Sequence, residues 1–423
     1  HYRRYTIAVE PSIGEGDPMK TSAPAFSKEQ ESRSKPVGIG LIGTGTRLLG
    51  LVRKLPGLGS ALEITALSDP SEDSLYDAAA DIGIDATQYD DYREVVRDPA
   101  VQWVMIGSWN VHHREHVVAA FEAGKHVFCE KPLATTMEDL LAIRDAHARS
   151  GKMLVMGLTL RYSPHYRAIK EIIDEGEIGQ VISFEFNETL DFNHGGFIHG
   201  DWRRKTEWAG THLLEKCCHD LDIANWLMED LPARVASFGG CDFFLPANKR
   251  HQERLGPDPE TGRPAFQLWR DRPESDNPFT EDKDIVDNQV AIIEYSKGVR
   301  AAFHTNCVAG IPERRIYVCG SEGAVRADVL TGSIELQRYG WDSQIERRDT
   351  IDGSEHGDGD EVLTEKLHDA MVSGVDPHVG VLPGLTSAVT AFAIDDAMER
   401  GEVVDLAPYW DEIGVPKRNK RGG

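Results

Sequence analysis

Two groups of side chains in this 423-residue sequence have the types and spacing that acid–base chemistry requires. The first is Glu130-Lys131-Pro132, which ends the apolar run of residues 127–129. Such a run is typical of a strand that is buried on both faces, and Pro132 stops it because proline cannot donate the next ladder hydrogen bond. Lys131 therefore stands at the carboxyl end of a strand, where open α/β sheets bind their ligands and where a lysine can give or take a proton.

The second group lies on a predicted helix around His219. Glu215 precedes His219 by four residues, so both should lie on one helical face and share a proton or a substrate hydroxyl. Asp222 follows by three residues and could orient the imidazole, whose ordinary pKa suits acid–base work near neutrality. A lone histidine on a helix is more often structural, but the acid one turn before His219 favours chemistry.

A glycine turn upstream of Lys131 predicts a nucleotide site. Residues 37–42 form an apolar strand, and Gly43-Thr44-Gly45 leads from it directly into a helical segment. Gly43 permits the tight turn, and Gly45 lets the backbone approach a pyrophosphate at the N-terminus of the helix. Leu48 occupies the place of the third glycine of G-x-G-x-x-G, so the fingerprint is incomplete.

An acidic residue and a second strand end complete the predicted nucleotide site. Residues 62–68 form a strand that ends in Asp69, where an acid accepts hydrogen bonds from ribose hydroxyls and disfavours a 2′-phosphate. This favours NAD over NADP, although Asp69 could simply begin a turn with Pro70. Asn110 and His113 follow the strand of residues 101–107 and should face the cofactor; alternatively, Asn110 caps the next helix and His113 packs at its start.

These features together resemble the Gfo/Idh/MocA family, named for glucose–fructose oxidoreductase, inositol dehydrogenase and a rhizopine catabolism protein. The resemblance covers essentially residues 36–405, and it rests on Gly43-Thr44-Gly45, Asp69, Asn110-x-x-His113, Ala123-Gly124-Lys125-His126-Val127-x-x-Glu130-Lys131-Pro132-Leu133 and Leu158-x-x-Arg161-Tyr162-x-Pro164. It implies an α/β fold: an N-terminal Rossmann dinucleotide-binding domain, followed by an α+β domain with a large, mostly antiparallel open sheet. It also places Glu215 in the family's aspartate position and His219 in its catalytic histidine position. The glutamate and the adjacent Lys216 are departures, and either Lys131 or His219 could be the base.

The expected domain organisation follows from these matches. We predict a mobile tail at residues 1–35, a Rossmann NAD-binding domain at 36–156, a substrate and oligomerisation domain at 157–408, and a C-terminal tail at 409–423. Residues 242–284 are rich in Pro, Asp and Arg and should form a lid, an interface arm or a mobile insertion. In the loop of residues 191–205, Trp202 could stack on a sugar face and Arg203 or Arg204 could meet an anion, unless the loop is merely solvated.

Composition excludes several other classes of protein. The formal net charge is −24, which argues against nucleic acid and anionic membranes as general partners. No apolar run approaches the roughly 18 residues of a membrane span. The six cysteines form no C-x-x-C pair, so we expect free thiols, no metal site and a cytoplasmic protein.

We expect an NAD-dependent dehydrogenase that oxidises a hydroxyl of a sugar, polyol or glycoside and acts as a homodimer or homotetramer. A redox-neutral NAD-dependent glycosidase that acts through a transient keto-sugar is the alternative. A non-catalytic NAD-binding sensor is a third, which Lys131 together with His219 argues against. The expected catalytic residues are Lys131, Glu215 and His219. The expected cofactor contacts are Gly43, Gly45, Thr46, Arg47, Asp69, Ser108, Asn110, His113, Glu130, Lys131 and Arg161. The expected substrate contacts are Lys131, Trp202, Arg203, Arg204, Glu215, Lys216, His219 and His356.

Overall fold

The computed structural model of the chain describes residues 35–82, 86–269, 276–350, 356–377 and 379–415. The expected N-terminal tail, apart from Lys35, and the last eight residues of the expected C-terminal tail lie outside the described residues. The earlier part of that second tail is packed, since a helix at residues 407–412 buries Trp410 against the Pro232 carbonyl. Burial of this large indole stabilises the helix, so the C-terminal tail does not begin at residue 409 as expected.

The first sheet of the described chain is six-stranded and parallel. Its strands are β1 Val37–Ile42, β2 Leu62–Ser68, β3 Thr87–Tyr89, β4 Trp103–Ile106, β5 His126–Cys129 and β6 Leu154–Met156. They lie in the order β3-β2-β1-β4-β5-β6. All residues of β1 and β4 are buried, as in a sheet that helices cover on both faces. The strand order reverses between β1 and β4, and the crevice at their carboxyl ends is where such sheets bind ligands.

Five helices connect these strands in the described residues. They are α1 Thr46–Lys54, α2 Glu72–Ile82, α3 Tyr92–Arg97, α4 His113–Glu122 and α5 Met137–Ser150. The Thr136 side chain accepts a hydrogen bond from the Asp139 N–H and so caps α5, which ends at Gly151 in the left-handed conformation. The fold of this half agrees with the predicted Rossmann domain.

The second sheet is nine-stranded and mostly antiparallel. Its strands are β7 Val181–Thr189, β8 Pro232–Gly240, β9 Asn288–Tyr295, β10 Arg300–Asn306, β11 Arg315–Gly320, β12 Gly323–Asp328, β13 Ser333–Arg338, β14 Glu346–Arg347 and β15 Val404–Asp405. They lie in the order β14-β13-β12-β11-β7-β10-β9-β8-β15, and only β7 and β10 pair in parallel. Burial alternates along β9 to β13, so one face packs on the core and the other is open. This confirms the predicted open sheet.

The helices of the second half differ from the sequence-based expectation in two places. They are α6 Pro164–Asp174, α7 Phe192–Gly200, α8 Thr206–Ala209, α9 His212–Glu215, α10 Cys218–Met228, α11 Arg250–Leu255, α12 Gly359–Ser373, α13 Val381–Arg400 and α14 Ala407–Glu412. Residues 191–205 are not a plain loop, because the Asp191 carboxylate caps α7. The single helix expected around His219 is instead two helices: α9 ends at Glu215, and α10 begins at Cys218.

The described part of the 242–284 insertion is packed. Phe244, Phe266 and Phe279 are almost fully buried and form a second apolar cluster with residues of α7 and the end of β10. Their side chains are scattered along the sequence without a helical or strand period, which is why the pattern gave little sign of a core. Gly196 of α7 permits this packing, since a Cβ there would lie 1.9 Å from the Phe266 carbonyl oxygen.

Within the described residues, no helix is both long enough and apolar enough to cross a bilayer.

Candidate active site

The turn between β1 and α1 has the geometry of an anion-binding site. Gly43 has a φ of +81°, and a Cβ there would lie 2.4 Å from the Ser108 backbone nitrogen, so glycine is required. A Cβ at Gly45 would meet nothing within 4 Å, which leaves open space before Thr46. Among the described residues no side chain caps α1, and its first turn carries no acid. Its first N–H groups therefore suit the pyrophosphate of a dinucleotide.

Asp69 faces this turn from the end of β2. Its carboxylate accepts hydrogen bonds from the backbone N–H groups of Thr44, at 2.8 Å, and Ser71, at 2.9 Å. The second bond shows that Asp69 does begin the turn with Pro70, which was the alternative reading of this residue. The Oδ1 atom, which accepts from Ser71, keeps a further lone pair, so the same residue fits a ribose hydroxyl as well.

Leu48 and Gly107 explain how the incomplete fingerprint is accommodated. A Cβ at Gly107 would lie 2.7 Å from the Leu48 Cβ, so the leucine side chain occupies the space that the glycine leaves. In the full fingerprint the third glycine allows close packing of the helix on the sheet. In this chain the small residue is Gly107, which follows the last residue of β4 and faces Leu48 of α1.

Asn110 and His113 hold the framework of the site. The Asn110 amide donates to the Ala209 carbonyl at 2.8 Å, and Asn110 does not cap α4, whose first residue follows His112. His113 is fully buried, with its ring nitrogens 2.7 Å from the Pro132 carbonyl oxygen and 3.1 Å from that of Ser108. Burial lowers the pKa of His113, so the neutral ring donates to one of these carbonyls. Both residues therefore contact protein in this structure, and their expected cofactor contacts stay predictions.

Arg47 joins the dinucleotide turn to the second half of the chain. Its guanidinium contacts Glu130 at 2.9 Å and binds both oxygens of Asp360, at 2.7 and 2.9 Å. Asp360 lies in the first turn of α12 and does not cap it, because Asp358 precedes the helix. Gly157 leaves room for the Glu130 carboxylate, which a Cβ would approach to 2.8 Å. The loop that should hold the cofactor is thus tied to α12 by an ion pair.

Lys131 reaches across the crevice to Glu215. The ammonium donates to the Glu215 backbone carbonyl and lies 3.1 Å from its carboxylate, which also accepts from Arg203 at 3.2 Å. The Glu215 carboxylate is nearly buried, which raises its pKa, but Lys131 and Arg203 outweigh burial and bring the pKa to about 2. Glu215 is therefore an anion at neutral pH that holds Lys131 in place.

His219 lies beside this pair but does not share its proton. The break between α9 and α10 separates His219 from Glu215, which pairs with Lys131 and Arg203 instead. His219 is 3% exposed, and its Nδ1 has no hydrogen-bond partner among the described residues. Burial lowers its pKa well below the usual value, and Lys131 lowers it further. His219 is therefore a neutral imidazole at neutral pH, with one ring nitrogen unprotonated.

Asp222 and Arg161 bind each other, which contradicts the expected role of Asp222. The Arg161 guanidinium makes two hydrogen bonds to the Asp222 carboxylate, at 2.6 and 2.7 Å. Asp222 therefore does not orient His219. Arg161 also lies over the Trp226 ring, at 5.7 Å from its centroid, and its expected cofactor contact has no support in this geometry.

The loop residues that were expected to meet substrate are already in contact with protein. Trp202 stacks on Trp109, with ring centroids 4.9 Å apart and an angle of 10° between the ring planes. The Arg203 guanidinium lies 4.4 Å from the centroid of the Trp202 ring. Arg204 donates to the Asp201 carbonyl at 3.0 Å. The nearly buried Lys216 forms an ion pair with Glu188 at 3.2 Å. A sugar could reach Arg203 at the edge of the crevice, whereas Arg204 and Lys216 support the loop and the sheet.

A buried ion cluster lies beneath His219. Arg314 contacts the Asp220 carboxylate at 2.8 Å and the Glu188 carboxylate at 2.9 Å, and all three side chains are at most 4% exposed. Glu188, Cys217 and Asp220 place their ligand atoms within 4.8 Å of one another, but Arg314 and Lys216 already supply the balancing charge. The cluster fixes the first turn of α10, and with it His219, against β7.

The sequence pattern did not predict several residues that contact the site. Asp360 and Arg314 are distant in the chain from their partners, and ion pairs of this kind leave no local pattern. Trp109 could have been found, because it lies three residues after the end of β4, where the chain faces the crevice.

Comparisons with known proteins agree with this architecture. Residues 37–158 match the model of an oxidoreductase family with an NAD-binding Rossmann fold, and residues 170–406 match that family's C-terminal alpha/beta domain. Inositol 2-dehydrogenase of Gluconacetobacter diazotrophicus is 38% identical over 197 residues, which are 46% of this chain and 55% of that protein. The enzyme of the same name from Pseudomonas fluorescens is 35% identical over 196 residues, 45% of this chain and 54% of that protein. The chain thus spans about half the length of these curated relatives.

Solved structures show the same fold. Levoglucosan dehydrogenase in complex with NADH and levoglucosan superposes with a TM-score of 0.73 at 19% identity, over 88% of this chain and 100% of that one. Myo-inositol 2-dehydrogenase from Lactobacillus plantarum superposes with a TM-score of 0.65 at 20% identity, over 88% and 99% of the two chains. With both family domains matched in order, the chain belongs to the Gfo/Idh/MocA family of oxidoreductases, which have an NAD-binding Rossmann fold.

Proposed function

We propose that this protein oxidises a hydroxyl group of a sugar, polyol or glycoside with NAD as the hydride acceptor. The observation that carries the proposal is the contact between Lys131, at the end of β5, and Glu215, at the end of α9. It brings an ammonium group to the strand end where the family binds its cofactor, beside the neutral imidazole of His219. The relatives named inositol 2-dehydrogenase support a polyol or sugar as the substrate class.

Each residue of this site would have a separate role in the reaction. Lys131 donates a hydrogen bond to the reacting oxygen, and Glu215, whose carboxylate also accepts from Arg203, holds the ammonium in position. His219 takes the hydroxyl proton on the ring nitrogen that is unprotonated in its neutral form, and its lowered pKa favours release of that proton afterwards. Bound NAD supplies the redox chemistry by accepting the hydride. The turn with Gly43 and Gly45, together with Asp69, would hold its pyrophosphate and ribose.

Self-association would use the open face of the second sheet. Phe238 and Val290 are paired across β8 and β9, and Ile292 lies two residues farther along the same face. They are 72%, 47% and 60% exposed, and Arg234 and Glu294 form an ion pair beside them. We propose that a second copy of the chain covers this patch, as in a homodimer or homotetramer. Sedimentation of Ile292→Asp should then show smaller species than the wild type, and unchanged species would contradict this.

The proposed first domain stays at residues 36–156, and the proposed second domain begins at residue 157 and includes α14, beyond the expected boundary at residue 408. A cytoplasmic location remains part of the proposal, and the six free cysteines support a reducing compartment.

One screen tests the activity. NADH formation is followed with the full chain against polyols, free sugars and glycosides, while release of the aglycone is measured in parallel. Net NADH formation that follows substrate oxidation supports the dehydrogenase. Release of the aglycone without net NADH would instead support the redox-neutral glycosidase, and NAD binding without either product would support the sensor.

A further inference from the structure

His356 lies between the buried His219 and solvent. The His219 and His356 rings meet edge to face, with centroids 5.8 Å apart and planes 60° apart. On its other side, His356 Nδ1 lies 3.7 Å from the Asp360 carboxylate. The two imidazole rings are thus in edge contact, and the His356 Nδ1 atom is within direct ion-pair distance of the carboxylate. The side chains become more exposed along the path, from the 3% of His219 to the 27% of His356.

The proposed reaction requires such a path. When a hydroxyl carbon is oxidised, its C–H electron pair leaves as hydride to the cofactor, the O–H electron pair closes the carbonyl, and one proton remains. The chain must return this proton to water before the next turnover. His219 is enclosed and does not open directly to bulk solvent, and the Lys131 ammonium is held by Glu215.

We propose that His356, held by the Asp360 carboxylate, carries the substrate proton from His219 to solvent, which makes His356 a proton-transfer residue of the site. This inference rests on the proposed dehydrogenase function. It also gives a reason for the Arg47–Asp360 ion pair, because Arg47 holds the carboxylate toward His356 from the dinucleotide turn.

The charges around both rings favour transfer outward. His219 is faced by the cations Lys131, Lys216 and Arg314, and by His356, which all oppose a lasting positive charge on it. His356 is faced by Arg47 and Arg314 but also by the Asp360 carboxylate, which favours its protonated form. Burial lowers the pKa of each ring, and the proton passes toward the ring beside the anion.

His368 provides a matched control for His356. It lies on α12, its side chain is also 27% exposed, and its Nδ1 is 3.5 Å from the Asp369 carboxylate. His356→Gln and His368→Gln therefore remove the same group from equally exposed places beside an aspartate, and NAD binding by each variant verifies its fold.

The first measurement needs no substrate. The imidazoles of the cofactor-free chain, labelled with ¹⁵N, are titrated by NMR. His356→Gln should shift the titration of His219, whereas His368→Gln should not. Identical His219 titrations in the wild type and in His356→Gln would overturn the proposed path even if no substrate is found.

The second measurement uses turnover. His356→Gln should lower turnover at least about tenfold and make it rise with added imidazole buffer, since a small carrier replaces the lost proton path. His368→Gln should show neither effect. Unchanged turnover, or a loss that imidazole does not restore, would overturn the path, while absence of turnover in the wild type would count against the proposed function itself.

Discussion

Leu48 and Gly107 face each other where α1 passes the end of β4, and a Cβ on the glycine would lie 2.7 Å from the Leu48 Cβ. The dinucleotide fingerprint usually keeps this contact close with a glycine on the helix. In this chain the glycine lies at the strand end instead, so α1 can carry Leu48 at this position with its side chain fully buried.

Gly107→Ala should therefore destabilise the fold. Its methyl group must displace Leu48, and overpacking of this kind costs about 1–3 kcal/mol of the free energy of unfolding, measured by urea denaturation. Gly50→Ala is the control, because it lies in α1 with no atom within 4 Å of the added methyl and should be neutral or slightly stabilising. A double-mutant cycle with Leu48→Gly, which removes the Cβ, should show coupling, and fully additive effects would contradict the contact.

Arg314→Leu tests the ion cluster under His219. The variant leaves the carboxylates of Glu188 and Asp220 buried without their shared cation, which should cost about 3–5 kcal/mol of unfolding free energy. Arg315→Leu removes a neighbouring arginine that is 35% exposed and pairs with Glu185 at 3.1 Å, so its loss should cost at most about 1 kcal/mol. Equal losses in thermal or urea unfolding would show that the cluster contributes no more than a surface pair.

Asp395 should make stability depend on pH. Burial raises its pKa from 3.8 to about 7, against the hydrogen bonds that Thr211 and Gln289 donate to it. Between these two values the folded carboxyl keeps a proton that the unfolded one has lost, so the free energy of unfolding falls as pH rises from about 4 to about 7. Asp395→Asn should flatten this slope, whereas the exposed Asp77→Asn should leave it unchanged. An equal slope in the wild type and Asp395→Asn would refute the assignment.

Asp69 should decide the choice of dinucleotide. Its carboxylate faces the turn where we propose that the dinucleotide binds, and there it would repel a 2′-phosphate, so Asp69→Ser should raise the NADP-to-NAD ratio of kcat/KM by about tenfold. Glu72→Gln removes an exposed acid from the first turn of α2 and serves as the control. The expectation fails if both variants keep the wild-type ratio.

The first half of the site could be predicted because its signals are local. A strand, Gly43 and Gly45, and a helix follow one another, and the strand end at Lys131 is marked by Pro132. The second half was only partly predictable. Glu215 and His219 were placed on one continuous helix from their spacing, but the chain breaks between them, and Glu215 turns to Lys131. Such pairings depend on tertiary packing and leave no period in the sequence.

The contacts of Asp222 show the same limit. Its spacing from His219 suggests a catalytic pair. In the structure Asp222 instead forms a hydrogen-bonded ion pair with Arg161, which lies at the crossover between the two halves. A bidentate partner far away in the chain outcompetes a neighbour one turn away, because two charge-assisted hydrogen bonds stabilise the buried carboxylate.

The central claim is that Lys131 acts on the substrate at the nicotinamide and does not build the nucleotide site. Lys131→Met keeps the apolar stem and removes the ammonium group, while Lys366→Met changes a half-exposed lysine on α12. The most direct measurement compares turnover and the Kd for NAD in both variants. We predict that Lys131→Met loses at least about 100-fold in kcat and keeps the Kd within about threefold, with Lys366→Met unchanged. Retained turnover in Lys131→Met would contradict the account.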